Sequence, residues 1–197
     1  MIDILYSSAS KFRKLIDTQY ILTFGRKNKL TTLKLEFDES NFYHLAGLHK
    51  LRDLPDLRKK ASIIYDSILQ RSLTLGYISN SHFFNEIEDR LRVLQNLESI
   101  LGSENTNWKY CQERTPFYSK IQAEFLIEHR NSISTSYIFI ANNGSNLKSH
   151  SCISCFEHKQ KDYTQNQTFL TLLEKKKLHL SNSSSEIIYQ RDGYSSS

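Results

Sequence analysis

The run Asn41-Phe42-Tyr43-His44-Leu45-Ala46-Gly47-Leu48-His49-Lys50-Leu51 is too apolar on every side for a surface helix. At about 100° per residue, Phe42, Leu45 and His49 share one side, and His44, Leu48 and Leu51 share another. The pattern predicts a helix buried on most faces and carrying two histidines. Asp38-Glu39-Ser40 stands where it can cap that helix. Gly47 lies inside it. A glycine within a helix costs about 1 kcal/mol relative to alanine, so it points to the close approach of another group. On an ideal helix His44 and His49 are about 140° apart, so only one is expected to touch a substrate directly.

Upstream, residues 1–19 read as a short, partly helical lead-in. Tyr20-Ile21-Leu22-Thr23-Phe24 is β-rich, Gly25 through Lys29 is turn-like, and Leu33, Leu35 and Phe37 alternate with Lys34, Glu36 and Asp38. This predicts a β-hairpin with one buried face. Downstream, Pro55 suits the first turn of a helix running through Ile64, Ile68 and Leu69. From Phe83 to Leu101, apolar residues recur every three or four positions. Glu86/Arg90 and Glu88/Arg92 are spaced as ion pairs, and Gly102 ends the helix.

The second half is β-patterned. Ile121, Ala123, Phe125 and Ile127 alternate with polar residues, and Tyr137-Ile138-Phe139-Ile140 is strongly β. Asn143-Gly144 signals a hairpin turn into Leu147 through Phe156. Glu186 through Tyr189 reads as a short strand after Ser-rich 181–185, and Tyr194 through Ser197 as a frayed end. The expected class is α+β: an N-terminal β-hairpin and helices packed on a C-terminal antiparallel sheet. The expected organisation is a lead-in at 1–19, a domain at 20–178 and a Ser-rich extension at 179–197.

The chain has 197 residues, enough to bury a core without disulfides or a structural metal. Its six glycines never fall within two residues of each other, which excludes G-x-G-x-x-G and Walker-A phosphate loops. The net charge of +5 is spread along the chain without a basic tail, so it permits a polyanionic partner without demanding one. No signal-peptide pattern and no bilayer-length apolar run is seen, and three cysteines make no disulfide framework. A cytoplasmic protein without a membrane partner is expected.

Three constellations could carry chemistry. His150, Cys152, Cys155 and His158 have the ligand types of a zinc site. On a strand, however, residues three apart point to opposite faces, so ordinary strand cysteines are the favoured reading and no metal or other cofactor is expected. His44, His49 and Lys50 form the second. Imidazole suits acid–base work near neutral pH, although a buried histidine is more often a satisfied core group. The third, Ser151, Ser154, Lys159, Lys161, Tyr163 and Thr164, could hold a phosphate, but from this segment alone a solvated loop is the favoured reading.

Phe42 through Leu51 followed by Asp53-Leu54 resembles the signature helix of a phage-associated nuclease family. That family is the fourth phage subgroup of the BECR fold, which groups barnase, EndoU, colicin and RelE nucleases. Ser81 through Asp89-Arg90-Leu91, Ser119 through Ile127, Ser154-Cys155-Phe156 and Asp162-Tyr163 are similar in order and spacing. Cys155 departs from the pattern, standing where an aromatic residue is expected.

The resemblance implies a metal-independent endoribonuclease, a toxin or phage-conflict effector. In this chemistry the RNA 2′-hydroxyl attacks phosphorus to give a 2′,3′-cyclic phosphate. His44, His49 and Tyr163 are then the candidate catalytic residues, and Tyr43, Lys50, Arg90 and Ser154 the candidate substrate contacts. For Arg90, a helix salt bridge to Glu86 is an equal alternative. RNA (tRNA or mRNA) and an immunity or antitoxin protein are the implied partners. A non-catalytic RNA- or protein-binding module on the same fold is the competing expectation.

Overall fold

The computed structural model describes residues 3–144 and 146–195, and only the backbone of 146–148. Met1-Ile2, Ser145 in the expected turn, the Leu147 side chain and the terminal Ser196-Ser197 lie outside the described residues.

The first hairpin forms as its pattern predicts. β1 (Thr18–Arg26) pairs antiparallel with β2 (Lys29–Glu36), with Leu22 opposite Leu33 and Tyr20 opposite Leu35. Lys27 and Asn28 close it with φ of 46° and 61°, the left-handed pair that matches strand twist. The remaining strands are β3 (Thr106–Lys109), β4 (Phe125–Arg130), β5 (Thr135–Asn143), β6 (Asn146–Glu157), β7 (Thr168–His179) and β8 (Ser184–Gln190).

Here the structure corrects the expected separation of an N-terminal hairpin from a C-terminal antiparallel sheet. The order β1-β2-β6-β5-β4-β3-β7 returns to β1 through a β1–β7 pairing, so seven strands close into a barrel; β8 is attached to β7. Full closure leaves no edge among the seven. An odd ring cannot alternate direction throughout, so one neighbouring pair must be parallel. That pair is β2 with β6, where Leu35 faces His150 and Glu36 faces Ser151.

The strand that closes the ring, β7, carries the charged run Glu174-Lys175-Lys176-Lys177, which gives no apolar signal on either face. In the fold Lys175 is only 1% exposed. Its ammonium donates to the carbonyls of Leu101 and Ser103 at 2.8 and 2.6 Å, and burial lowers its pKa to about 8.

Among the described residues six α-helices complete the α+β architecture: α1 (Ile4–Ile16), α2 (Glu39–Leu45), α3 (Ala61–Leu69), α4 (Leu75–Ile78), α5 (Glu88–Gln95) and α6 (Leu97–Gly102). Leu5, Ala9, Phe12 and Leu15 of α1 are buried in the same core as Tyr20, Leu22 and Leu35 of the barrel. Phe24 of β1 stacks on Phe125 of β4 at 6.0 Å across the ring, so this core fills the barrel interior. Leu126, Tyr137 and Phe139 point the other way into a smaller aromatic cluster with Tyr110.

The long helix expected over 83–101 is broken. Phe84–Glu86 is a 3₁₀ turn, and Asn96 (φ −111°) separates α5 from α6. Likewise Pro55–Arg58 is a separate 3₁₀ turn ahead of α3. Ile121 and Ala123 precede β4 rather than belonging to it. Among the described residues no helix is long and apolar enough to cross a membrane.

Candidate active site

The parallel seam places the site. β2 ends at Glu36 beside Ser151 of β6, and Asp38 then caps α2. The Asp38 carboxylate accepts from the Ser40 amide at 2.9 Å, while the Asp38 amide donates to the Asn41 side chain at 3.0 Å. α2 therefore lies along β6, close enough for the Cys155 thiol to approach the Leu45 carbonyl at 3.9 Å.

The run 41–51 is not one helix. α2 stops at Leu45, Gly47 adopts φ +76°, and Leu48–Lys50 continues as a 3₁₀ turn. The kink cancels the separation an ideal helix would impose. The His44 and His49 rings lie 5.3 Å apart, and both line one cleft. The expectation that only one histidine faces the pocket is thus corrected. The expectation that Gly47 marks a close approach is met: a Cβ there would sit 2.8 Å from both Arg90 Cδ and Ile87 Cγ2.

Arg90 itself turns inward. It is 9% exposed, donates to Ser154 Oγ at 3.3 Å and to the Leu45 carbonyl at 3.5 Å, and its guanidinium is 5.3 Å from the Phe156 ring. The expected Glu86–Arg90 pair is replaced by Lys50–Glu86 at 3.9 Å, whereas Glu88–Arg92 forms at 2.9 Å. Asp89 is taken by Lys159 at 3.4 Å. Among the described residues no carboxylate pairs with Arg90, which leaves its charge available to a ligand.

The cleft measures about 520 Å³. Asn41, His44, His49 and Arg90 line its helical side, Lys120, Ile121 and Gln122 a second wall, and Ser151 through Ser154 the β6 side. Two imidazoles, a guanidinium and an ammonium surround it without any carboxylate, so it attracts an anion. Burial lowers the His49 pKa below the usual imidazole value, and His44, Arg90 and Lys50 push it the same way. Burial likewise lowers Lys50, helped by Arg90 and opposed by Glu86.

The other candidates fall around this centre. Tyr43 sits edge-on to His44 at 5.3 Å, and its hydroxyl donates to the Leu57 carbonyl at 2.8 Å, which braces the histidine segment. Lys50 contributes field beside Arg90 rather than a lining surface. Tyr163 packs in the aromatic cluster against Phe139 and Phe156 at 5.2 and 5.4 Å, one ring removed from Arg90, and burial raises its pKa. Asp53 and Ser81 form a clamp. The Asp53 carboxylate accepts from Ser81 Oγ at 2.6 Å and from the His82 amide at 2.9 Å, tying the histidine segment to the approach of α5.

Asn41, Lys120 and Gln122 line the cleft without having stood out in the sequence, whereas Ser151 belongs to the polar cluster read there as a possible phosphate holder. The alternation at 121–127 resembled a strand, yet only Phe125 onward joins β4, which frees 120–122 to face the cleft.

The His/Cys set does not assemble. A bulge leaves Ile153 unpaired, with Cys152 opposite Ile140 and Ser154 opposite Phe139, so Cys152 and Cys155 both turn into the core. His150 lies against Phe125 and His158 against Tyr137. Among the described residues no group of three or more His, Cys, Asp or Glu is placed to hold a metal ion.

A family model described as phage-Barnase-EndoU-ColicinE5/D-RelE like nuclease 4 matches residues 4–192. No curated protein and no solved structure matches the chain.

Proposed function

The chain belongs to this phage BECR-like nuclease family, and from that footing we propose that it is an endoribonuclease that cleaves by intramolecular attack of the RNA 2′-hydroxyl. The observation that supports this reading most is the pair of imidazoles 5.3 Å apart beside a buried arginine that pairs with no carboxylate among the described residues.

His49, kept neutral by its surroundings, accepts the 2′-hydroxyl proton as the new 2′-O–P bond forms. His44 delivers a proton to the departing 5′-oxygen as the P–O5′ bond breaks. The products are a 2′,3′-cyclic phosphate and a 5′-hydroxyl, and no outside reactant is consumed. Arg90 and Lys120 hold the non-bridging oxygens, whose charge grows in the transition state. Ser154 is a positioning residue for Arg90 through its 3.3 Å hydrogen bond. Tyr163 acts one step further out, through Phe156.

The reading is tested by incubating the purified chain with total RNA and tRNA in EDTA, beside a His44→Ala, His49→Ala double variant. Fragmentation by the first and not the second is expected. Intact RNA with both, and stable capture of RNA by both, would favour the binding-module alternative.

A further inference from the structure

A second cleft, about 280 Å³ in volume, lies on the far side of His49. His49 is the residue common to the two clefts. The walls of the second are the Tyr43 ring and the side chains of Arg52 and Arg58, over an apolar floor that includes Leu48 and Leu57. The nearby carboxylates are engaged elsewhere. Asp53 is held by Ser81 and the His82 amide, while Asp56 accepts the Tyr77 hydroxyl at 2.8 Å and lies 3.9 Å from Lys59.

Arg52 and Arg58 are exposed, and among the described residues neither pairs with a carboxylate. Arg58 donates to the Arg52 carbonyl at 3.3 Å, and the Arg52 guanidinium lies 5.6 Å from the Phe83 ring. Two unneutralised guanidiniums are thus held in one place, adjoining a cleft already built for an anion.

We propose that this second cleft is a subsite for a flanking nucleotide. Single-stranded RNA crosses His49 with one phosphate in the histidine cleft and the next held by Arg52 and Arg58. A basic groove that tracks a backbone, edged by an aromatic ring, is how sequence-tolerant single-strand binding is built. The proposal rests on the ribonuclease reading for its substrate class and extends it from one phosphodiester to a strand.

The test measures binding, so it reads out whether or not the chain cuts. A fluorescein-labelled 2′-O-methyl octauridylate and the matching dinucleotide are titrated by anisotropy at several salt concentrations, against wild type, Arg52→Gln, Arg58→Gln and the double variant. Each lost single-strand phosphate contact lowers the slope of log K against log salt by about 0.7, and Arg52 and Arg58 share one phosphate, so the double variant should lose about 0.7 on the octamer. Dinucleotide binding should be unchanged, and an Arg52→Lys, Arg58→Lys variant should keep most of the slope.

An octamer slope and affinity equal to wild type in all three Gln variants would overturn the subsite. So would a wild type that holds the octamer no more tightly than the dinucleotide. Expected slopes with ordinary RNA left intact would sink the cleavage chemistry while leaving the strand-binding surface standing.

Discussion

His44/His49 and Cys152/Cys155 pose one geometric problem. In each pair a regular backbone would send the two side chains in different directions, and one irregular residue brings them together. Gly47, at φ +76°, does this for the histidines; the bulged Ile153 does it for the cysteines. The outcomes differ because the surroundings differ. The histidines open onto a cleft shared with Arg90 and Lys120, whereas Cys152 lies in that cleft's β6 wall at only 3% exposure and Cys155 is fully buried in the core. Burial raises both thiol pKa values, Cys155 to about 12, so they stay neutral and unreactive. Convergence of reactive side chains is therefore not enough to make a site; access and local charge decide which convergent pair can do chemistry.

The contrast is broken most severely by removing the imidazoles. His49→Ala and His44→Ala should each lower RNA cleavage about 10²–10⁴-fold, the usual contribution of a positioned acid or base. Circular dichroism should show both variants folded, because the cleft is open.

Gly47→Ala comes next. Its methyl meets Arg90 and Ile87 at 2.8 Å in a left-handed backbone, so a stability loss of about 1–3 kcal/mol is expected in urea titration. The activity of the molecules still folded should also fall, because the two rings are re-aimed.

The pH profile sharpens the comparison further. Since the His49 pKa is depressed below 6.5, the base form persists into mildly acidic solution. Protonation of His49 should remove activity only below that value, so the acid limb of the kcat/KM profile should lie below the ordinary imidazole range. The same depression makes the unfolded chain bind the extra proton first, so His49 contributes a loss of stability as pH falls below 6.5.

The smallest effect concerns the thiols. A thiol-specific reagent should label the native protein at Cys111, which is partly exposed, while Cys152 and Cys155 react only after unfolding. Rapid native labelling of Cys155 would contradict the sealed core.

The α+β class, the first hairpin and the histidine-bearing segment were legible in the sequence because each rests on local periodicity or capping. Barrel closure was not, since it depends on β7, whose lysine-rich half hides a buried Lys175 satisfied by carbonyls 72 and 74 residues away in the chain. At the site, Gly47 announced a close neighbour without naming it. The neighbour is Arg90, and the inward turn that frees it from Glu86 comes from tertiary packing against Ser154 and Leu45. Lys120 and Gln122 escaped for a related reason: alternation alone does not mark where a strand begins to pair.

Attack by the 2′-hydroxyl within the histidine cleft is the step on which the proposed function rests. It is tested most directly by mapping the ends left on an RNA oligonucleotide cut in EDTA, beside a copy with one 2′-deoxy residue at the cleavage position. A 2′,3′-cyclic phosphate and a 5′-hydroxyl are expected on the first and no cleavage at the deoxy position of the second. Cutting at the deoxy position, or 5′-phosphate ends, would contradict it.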